Sequence, residues 1–294
     1  MTSLPSSDTL LLHRVPTVIP GAPCLPNSTL VRVAILDTET TGLAQDKDTI
    51  IELAILVLDV DSATGLPVRE IVRYEGLEDC EGDLSADVVR VTGITKDMLA
   101  GKRLDDDAVA DALSGVDLVI AHNASFDRKF IERRYPQTVS MNWACSIEDV
   151  EWDERGIESN KLDYIAFKCG YFFDAHRAIA DCLAVACVLT ADLNGAPTAM
   201  LRLLRAAGEP SFSLWARRSP FETKDTLKAR GYRWDAEAKC WHTTVRGTQS
   251  ARDEWKWLKT EIYRGATPAT ETFVLTAHDR YSERTGKRAE RGVD

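Results

Sequence analysis

The sequence predicts an α/β fold, a sandwich built on a mixed sheet, with a small α+β module behind it. Three observations predict it. Strand-like apolar runs come first and are joined by short turns. Strands then alternate with helices, the pattern of a mixed sheet covered by helices. A break at Asn194-Gly-Ala-Pro197 is followed by a second, compact pattern. At 294 residues the chain can bury one large core and one smaller one.

Residues 1–29 hold Pro5, Pro16, Pro20, Pro23 and Pro26 without sustained periodicity, and predict an extended, poorly ordered arm in which Leu10 to Val15 is the stretch apolar enough to touch the body. Val31 to Asp37 alternates β-branched residues with others and predicts the first strand. Ile50 to Leu58 and Arg69 to Tyr74 predict two more, joined as an antiparallel meander. Residues 84–114 read as helix and loop, broken at Thr92-Gly93-Ile94-Thr95. Asp117 to Ala121 is a short buried strand, and Ser125 to Arg134 a helix halted before Pro136. Lys161 to Lys168 and Ile179 to Leu189 are helices, the second strongly apolar. Residues 196–210 read as a linker carrying a short helix, 211–264 as the small module, and 265–294 as a tail that is partly disordered, with a possible strand at Thr272 to Thr276.

The composition is that of a globular protein, 44% hydrophobic and 28% charged. No apolar run approaches the roughly 20 residues of a membrane span, and Leu10-Leu-Leu12 has no basic residue before it, so a secretory signal is not expected. Seven cysteines are scattered with no C-x-x-C pair, which fits reduced thiols in a cytoplasmic protein. Net charge is −10, but it is uneven: residues 1–210 carry −15 and residues 211–294 carry +5. An acidic body argues against a broad nucleic-acid-binding surface and suggests bound divalent cations, while the basic part suggests a division of labour.

The chemistry begins at Asp37-Thr-Glu39-Thr-Thr-Gly42. Side chains two apart on a strand share a face, so Asp37 and Glu39 project together. Adjacent carboxylates repel unless a cation lies between them, and hard oxygen ligands suit Mg²⁺ or Mn²⁺; two solvated acids at a strand end are the plainer alternative. Gly42 allows the backbone to turn. A second element, His122-Asn123-Ala-Ser-Phe126-Asp127, places Asp127 in the first turns of a helix, where the helix dipole alone would favour it. His122 and Asn123 there read most simply as capping and hydrogen-bonding groups. The third element is His176-Arg-Ala-Ile-Ala-Asp181. Five helical residues rotate about 500°, so these two side chains converge only if His176 precedes the helix. An inward Asp181 among small apolar residues needs a partner.

These three elements, in this order and spacing, resemble the exonuclease motifs of the DEDD superfamily, in its histidine branch, similar to the DnaQ-like proofreading subunit of bacterial replicative polymerase. The resemblance covers residues 30–195. Val91-Thr-Gly-Ile94-Thr resembles the family's substrate-side loop, with Thr92 where the family has histidine. The resemblance implies a ribonuclease H-like five-stranded mixed sheet and 3′→5′ release of nucleoside 5′-monophosphates from a nucleic-acid 3′ end; DNA is favoured over RNA, and no residue of the sequence decides between them. It implies two divalent cations, Mg²⁺ or Mn²⁺. Asp37, Glu39 and Asp181 would hold one, and Asp37 with Asp127 the second. His176 would be the general base, since an imidazole ordinarily titrates near about 6.5. Thr40, Thr41, Leu43, Asn123 and Phe126 are the candidate substrate contacts. Competing readings are a non-catalytic nucleic-acid or polymerase-associated module that keeps the fold, and an RNA-directed exoribonuclease.

The module from Phe212 to Arg264 sets Trp215, Trp234, Trp241, Trp255 and Trp257 among many cations. Such a mixture can hold single strands, but a module this small also needs large aromatics for its core. At least two of Trp215, Trp234 and Trp241 are therefore expected in the core. Nucleic-acid binding, packing with a possible homodimer, and docking to another protein stay open for it.

Overall fold

The computed structural model of the protein describes residues 11–193 and 195–289. The chain divides into two compact units, with the division between Leu204 and Arg205.

The first unit is built on a mixed sheet of five strands. Three long strands form the meander: β2 (Leu30–Thr40), β3 (Ile50–Asp61) and β4 (Pro67–Leu77), after a two-residue β1 (His13–Arg14). Helices α1 (Ala86–Thr92), α2 (Lys96–Leu99) and α3 (Asp106–Leu113) lead to β5 (Leu118–Ala121), α4 (Ala124–Arg134) and β6 (Trp143–Cys145). Then come α5 (Leu162–Lys168), β7 (Tyr171–Phe172), α6 (Ala178–Thr190) and α7 (Ala199–Gly208). The strand order is β4-β3-β2-β5-β6; the meander is antiparallel, and β5 and β6 run parallel to β2. All twelve residues of β3 are buried, which is why its sequence reads as a continuous apolar run rather than an alternation. Each fully buried Leu or Ile there is worth about 1.5–3 kcal/mol of transfer free energy. α6 packs on β2 and β3 with nine buried residues, small ones among them, so its backbone comes close to the sheet.

The expectation of a poorly ordered arm is corrected for residues 11–29. His13–Arg14 pairs in parallel with Tyr171–Phe172, and Val15 and Ile19 are buried. The Ala22 amide donates to the Pro67 carbonyl. The carboxylate of buried Asp61 accepts from the Leu25 amide (2.7 Å), the Ser28 hydroxyl (2.6 Å) and the Ala63 amide (2.8 Å). These donors hold its carboxyl far below the usual carboxylate range. Residues 1–10 of the expected arm lie outside the described residues.

The second unit is an antiparallel sheet of five strands: β8 (Ser211–Ala216), β9 (Arg233–Asp235), β10 (Cys240–Arg246), β11 (Thr270–Leu275) and β12 (Lys287–Arg288), in the order β12-β11-β8-β10-β9. Helices α8 (Lys224–Ala229) and α9 (Thr248–Trp257), with a π turn at Leu258–Ile262, cover one face. Two boundaries change. The short helix expected within 196–210 is α7, and with Met200 and Leu203 fully buried the segment is packed rather than a free linker. The module does not end at Arg264, because β11 pairs with central β8 along its whole length and β12 pairs with β11. The expected disorder from Ser282 onward is therefore corrected through Ala289, and 290–294 lie outside the described residues.

The expectation for the tryptophans is corrected as well. Of Trp215, Trp234 and Trp241, only Trp241 packs against the core of Phe212, Leu214, Ala216, Leu227 and Tyr232. Strand alternation sends Trp215 to the face opposite Leu214 and Ala216. Trp234 sits on edge strand β9, 51% exposed and edge-on to Trp241 at 5.6 Å. Among the described residues no helix is long and apolar enough to cross a membrane.

The Asp61 contacts generate a test. Asp61→Ala should release residues 20–29 while the sheet persists, so amide exchange at Leu25 and Ser28 should quicken and limited proteolysis should cut there first. Unchanged protection of this segment in hydrogen-exchange mass spectrometry would show that Asp61 does not anchor it.

Candidate metal centre

The central strand β2 delivers two carboxylates at its C-terminal end. Asp37 lies opposite Ala54 and Glu39 opposite Glu52 on β3, and the register slips just beyond, between Glu39 and Thr40. Asp181, one turn into α6, faces them from the covering helix. Oxygens of Asp37, Glu39 and Asp181 all lie within 4.8 Å of one another. Asp127, in the first turn of α4, is fully buried beside them. It accepts from the Thr38 amide (3.1 Å) and the Thr38 hydroxyl (2.7 Å), so the residue between the two strand carboxylates fixes it.

Burial and mutual repulsion raise all four acids. Burial is the larger cause for Asp37, followed by the charges of Asp127, Asp181 and Glu39, and its carboxyl lies well above the ordinary range. Glu39 is pushed up to about 8 by burial and then by Asp181 and Glu52, against a smaller opposing effect of Arg177. Asp127 is raised because burial outweighs its bonds from Thr38, and Asp181 because burial outweighs the His176 amide. Four acids with one opposing arginine form an all-oxygen donor set short of positive charge. That set fits a hard divalent cation.

His176 lies in the loop before α6, exposed and in the left-handed region with φ 68°. Its amide donates to Asp181 Oδ2 at 2.9 Å, and its ring is near enough to lower the Asp181 carboxyl electrostatically. The next two residues are tied to Glu52: the Arg177 guanidinium donates to it at 2.7 and 3.0 Å, and the Ala178 amide at 3.0 Å. Glu52 and Arg177 were missed in the sequence. The available signal was Glu52 itself, a lone charge in the apolar run Ile50 to Leu58.

The structure places the other candidates as follows. The Thr40 hydroxyl donates to the Gly42 carbonyl (2.6 Å) and the Thr41 hydroxyl to Asp48 (2.9 Å), so both are engaged within the β2–β3 loop. The Thr41 amide donates to the Thr49 carbonyl. Gly42 is required by space rather than by a turn: a Cβ there would lie 2.5 Å from the Asp48 carboxylate. Leu43 is 83% exposed at the loop tip. Asn123 stands at the N-cap position of α4 with φ 73°, without a side-chain capping bond, and accepts from the Ser125 hydroxyl, and Phe126 packs on Phe130 at 4.9 Å between ring centres. His122 bridges the Ser146 hydroxyl and the Asn160 carbonyl, both at 2.8 Å, the hydrogen-bonding role its position suggested. Thr92 closes α1: its hydroxyl donates to the Val88 carbonyl and accepts from the Ile94 amide. A groove of about 680 Å³ in the first unit is not over the carboxylates. It lies beside the β2–β3 loop, between Asp48, Glu78, Asp83, Arg133 and Arg134.

Comparison with known proteins finds relatives of the first unit. Residues 34–189 match the family model RNase_T, described as exonuclease. The PolC-type DNA polymerase III of Listeria innocua is 41% identical over 160 residues, 52% of this chain and 10% of that polymerase. The PolC-type DNA polymerase III of Bacillus subtilis is 33% identical over 171 residues, 55% of this chain and 11% of that polymerase. The matched region thus spans about a tenth of these relatives' length. Among solved structures, the zinc-bound complex of E. coli exonuclease I with single-stranded DNA overlays with a TM-score of 0.50 at 12% identity, covering 74% of this chain and 63% of that one. That likeness is one of fold, and the mixed sheet is of the ribonuclease H-like kind.

The raised carboxyls predict how the metal-free protein responds to pH. Their folded pKa values exceed the unfolded ones, about 3.9 for Asp and 4.3 for Glu. The folded state therefore binds more protons, and its stability should fall as pH rises from about 4.5 to the Glu39 value of about 8. Divalent cations should oppose that fall, so the gain in Tm on adding Mg²⁺ or Mn²⁺ should be larger at the upper end of this window. Thermal melts in chelator and in metal across the window measure it. A gain independent of pH would remove these carboxylates as the cation ligands.

Proposed function

The chain belongs to the exonuclease family that the RNase_T model describes, and from that membership we propose that it is a metal-dependent 3′→5′ exonuclease that releases nucleoside 5′-monophosphates from DNA. The convergence of Asp37, Glu39 and Asp181 within 4.8 Å, on a strand end and a facing helix, supports this reading most. The relatives are DNA polymerases by name, which supports DNA as the substrate.

In this reading Asp37, Glu39 and Asp181 hold one divalent cation, and Asp37 with Asp127 positions a second. Bound cations would supply activation of the attacking water and neutralisation of charge on the departing 3′ oxygen. Thr38 keeps Asp127 oriented, so the protein's own hydrogen bonds fix the spacing of the acids before any cation arrives. His176 takes the proton of the attacking water at its imidazole. Its loop position lets the ring reach toward the acidic cluster from the solvent side, which a helical position would not. Leu43 and Phe126 offer apolar surface to a terminal base, and Asn123 a polar group beside it.

Two measurements test the reading. With strands labelled at the 3′ or the 5′ end, a 3′ label should be released at once as mononucleotide, while a 5′ label should report a descending ladder. Parallel reactions on single-stranded DNA, duplex DNA and RNA fix the substrate. Asp37→Asn and Asp181→Asn should abolish hydrolysis with the fold retained, because an amide carries no charge and is a poorer ligand. Near-normal turnover of Asp37→Asn in saturating Mg²⁺ would sink the proposal.

The base is tested separately. His176→Ala should lower turnover by about 10²–10⁴-fold, with little change in the metal concentration needed for half-activity. It should also flatten the rise of rate with pH at the acid limb. A pH–rate profile unaltered by the substitution would take the role from His176.

A further inference from the structure

The second unit has a sheet face that its core does not use. On β8, Phe212, Leu214 and Ala216 enter the core, and Ser211, Ser213 and Trp215 point the other way. The strand register carries this second face across the sheet. Arg233, His242, Trp215 and Glu271 lie abreast on β9, β10, β8 and β11. Thr244, Ser213, Phe273 and Arg288 form the neighbouring row. None of Trp215, His242 and Phe273 belongs to the core cluster, and each is half-buried.

The chemistry of the face is specific. The Trp215 and His242 rings are stacked, 4.7 Å apart and 17° from parallel. The Trp215 indole is fixed by its N–H, which donates to the Ser213 hydroxyl at 3.0 Å. The Arg217 guanidinium sits 5.3 Å from the Trp215 ring centre. Arg217 and Arg288 share one carboxylate, Glu271, which leaves a net positive charge beside the rings. Exposed Arg233, next to His242, forms no ion pair among the described residues. Asp235, on the same strand face, accepts from the Ala238 amide in the β9–β10 turn and is near enough to His242 to act on it, so the face sets Arg217, Arg233 and Arg288 against Glu271 and Asp235. Two oriented aromatic rings on a sheet with surplus guanidinium charge are complementary to a chain that offers flat bases and phosphates.

We propose that this face of the second unit, centred on the stacked Trp215–His242 pair with Arg217 and Arg233, is a binding platform for single-stranded nucleic acid. Single strands are selected because their bases present free faces for stacking, whereas a duplex hides them. The platform is distinct from the carboxylate site and does not depend on the exonuclease reading. The +5 charge of residues 211–294 supplies general attraction for the polyanion, against −15 in the rest of the chain.

The test is fluorescence anisotropy of a labelled single-stranded oligothymidylate with the full-length protein in chelator, where binding is read without hydrolysis. Trp215→Ala and His242→Ala should each weaken binding by about 5- to 150-fold, the range for loss of one stacked base. Trp215→Phe should recover most of the affinity. Arg233→Gln should make the dependence of log K on log salt shallower by about 0.7, one phosphate contact on a single strand. A labelled duplex of the same length should bind more weakly and be indifferent to the aromatic substitutions. Parent-like affinity in the Trp215→Ala/His242→Ala protein, with unchanged circular dichroism and melting, would overturn the proposal and leave the face to protein docking or packing. Should that protein fail to fold, Arg233→Gln still decides, since a face that does not meet nucleic acid leaves the salt slope as in the parent. Hydrolysis, whether present or absent, does not enter these readings.

Discussion

Four carboxylates are crowded together, Asp127 buried and the other three half-buried, and the first unit is arranged around that constraint. Asp37, Glu39, Asp127 and Asp181 come from a strand and two helices. None could be gathered there without rigid supports, because each raises the cost of ionising the others. The supports are visible. β2 is flanked by β3 and β5, so the strand that carries two of the acids cannot shift. The small and apolar residues of α6 set that helix close on β2 and β3, which brings Asp181 to the strand end. Thr38 binds Asp127 from the strand itself. A site that opposes its own assembly is the arrangement expected where a cation completes it.

Much of this was legible in the sequence. Spacing put Asp37 and Glu39 on one face of a strand, and rotation along a helix required His176 to precede α6, as it does. The main elements of the first unit were legible because their apolar runs are long or strongly periodic. What escaped has physical reasons. Strand β6 is three residues, Trp143-Ala-Cys145, too short to show a period, and β1 and β7 are two residues each. Thr92 reads from the sequence as a departure from a binding motif, but its hydroxyl spans the end of α1, a local bond that only three dimensions show. Thr40 turns its hydroxyl to the Gly42 carbonyl, and the engagement of Thr41 depends on Asp48, whose contact with it no pattern announces.

The second unit shows where composition misleads. Five tryptophans in a small basic segment fit both a core and a binding surface, and counting cannot divide them. The strand register does. Trp241 and Trp215 lie on adjacent strands one step out of phase, so one faces the helices and the other the opposite side. Trp255 and Trp257 pack against the core from α9. Nor does the aromatic-rich segment mark the unit's limits, since β11 supplies a full partner to β8 from residues with no tryptophan.

The loop before α6 ties the acidic cluster to the imidazole. His176 has a left-handed backbone, a conformation that costs a non-glycine residue of order 1–3 kcal/mol and persists only where its surroundings over-determine it. Here three consecutive residues are held: the His176 amide by Asp181, the Arg177 side chain and the Ala178 amide by Glu52. Glu52 lies opposite Glu39 on the neighbouring strand, so the clamp is anchored one residue pair from the cluster. Asp181 serves both as a candidate cation ligand and as the acceptor that keeps the histidine backbone in place. Its two oxygens allow this, one accepting from the loop while the carboxylate still faces Asp37 and Glu39. Protonating Asp181 would weaken both this hold on the loop and the carboxylate cluster, so one ionisation couples the candidate cation site to the backbone that carries His176.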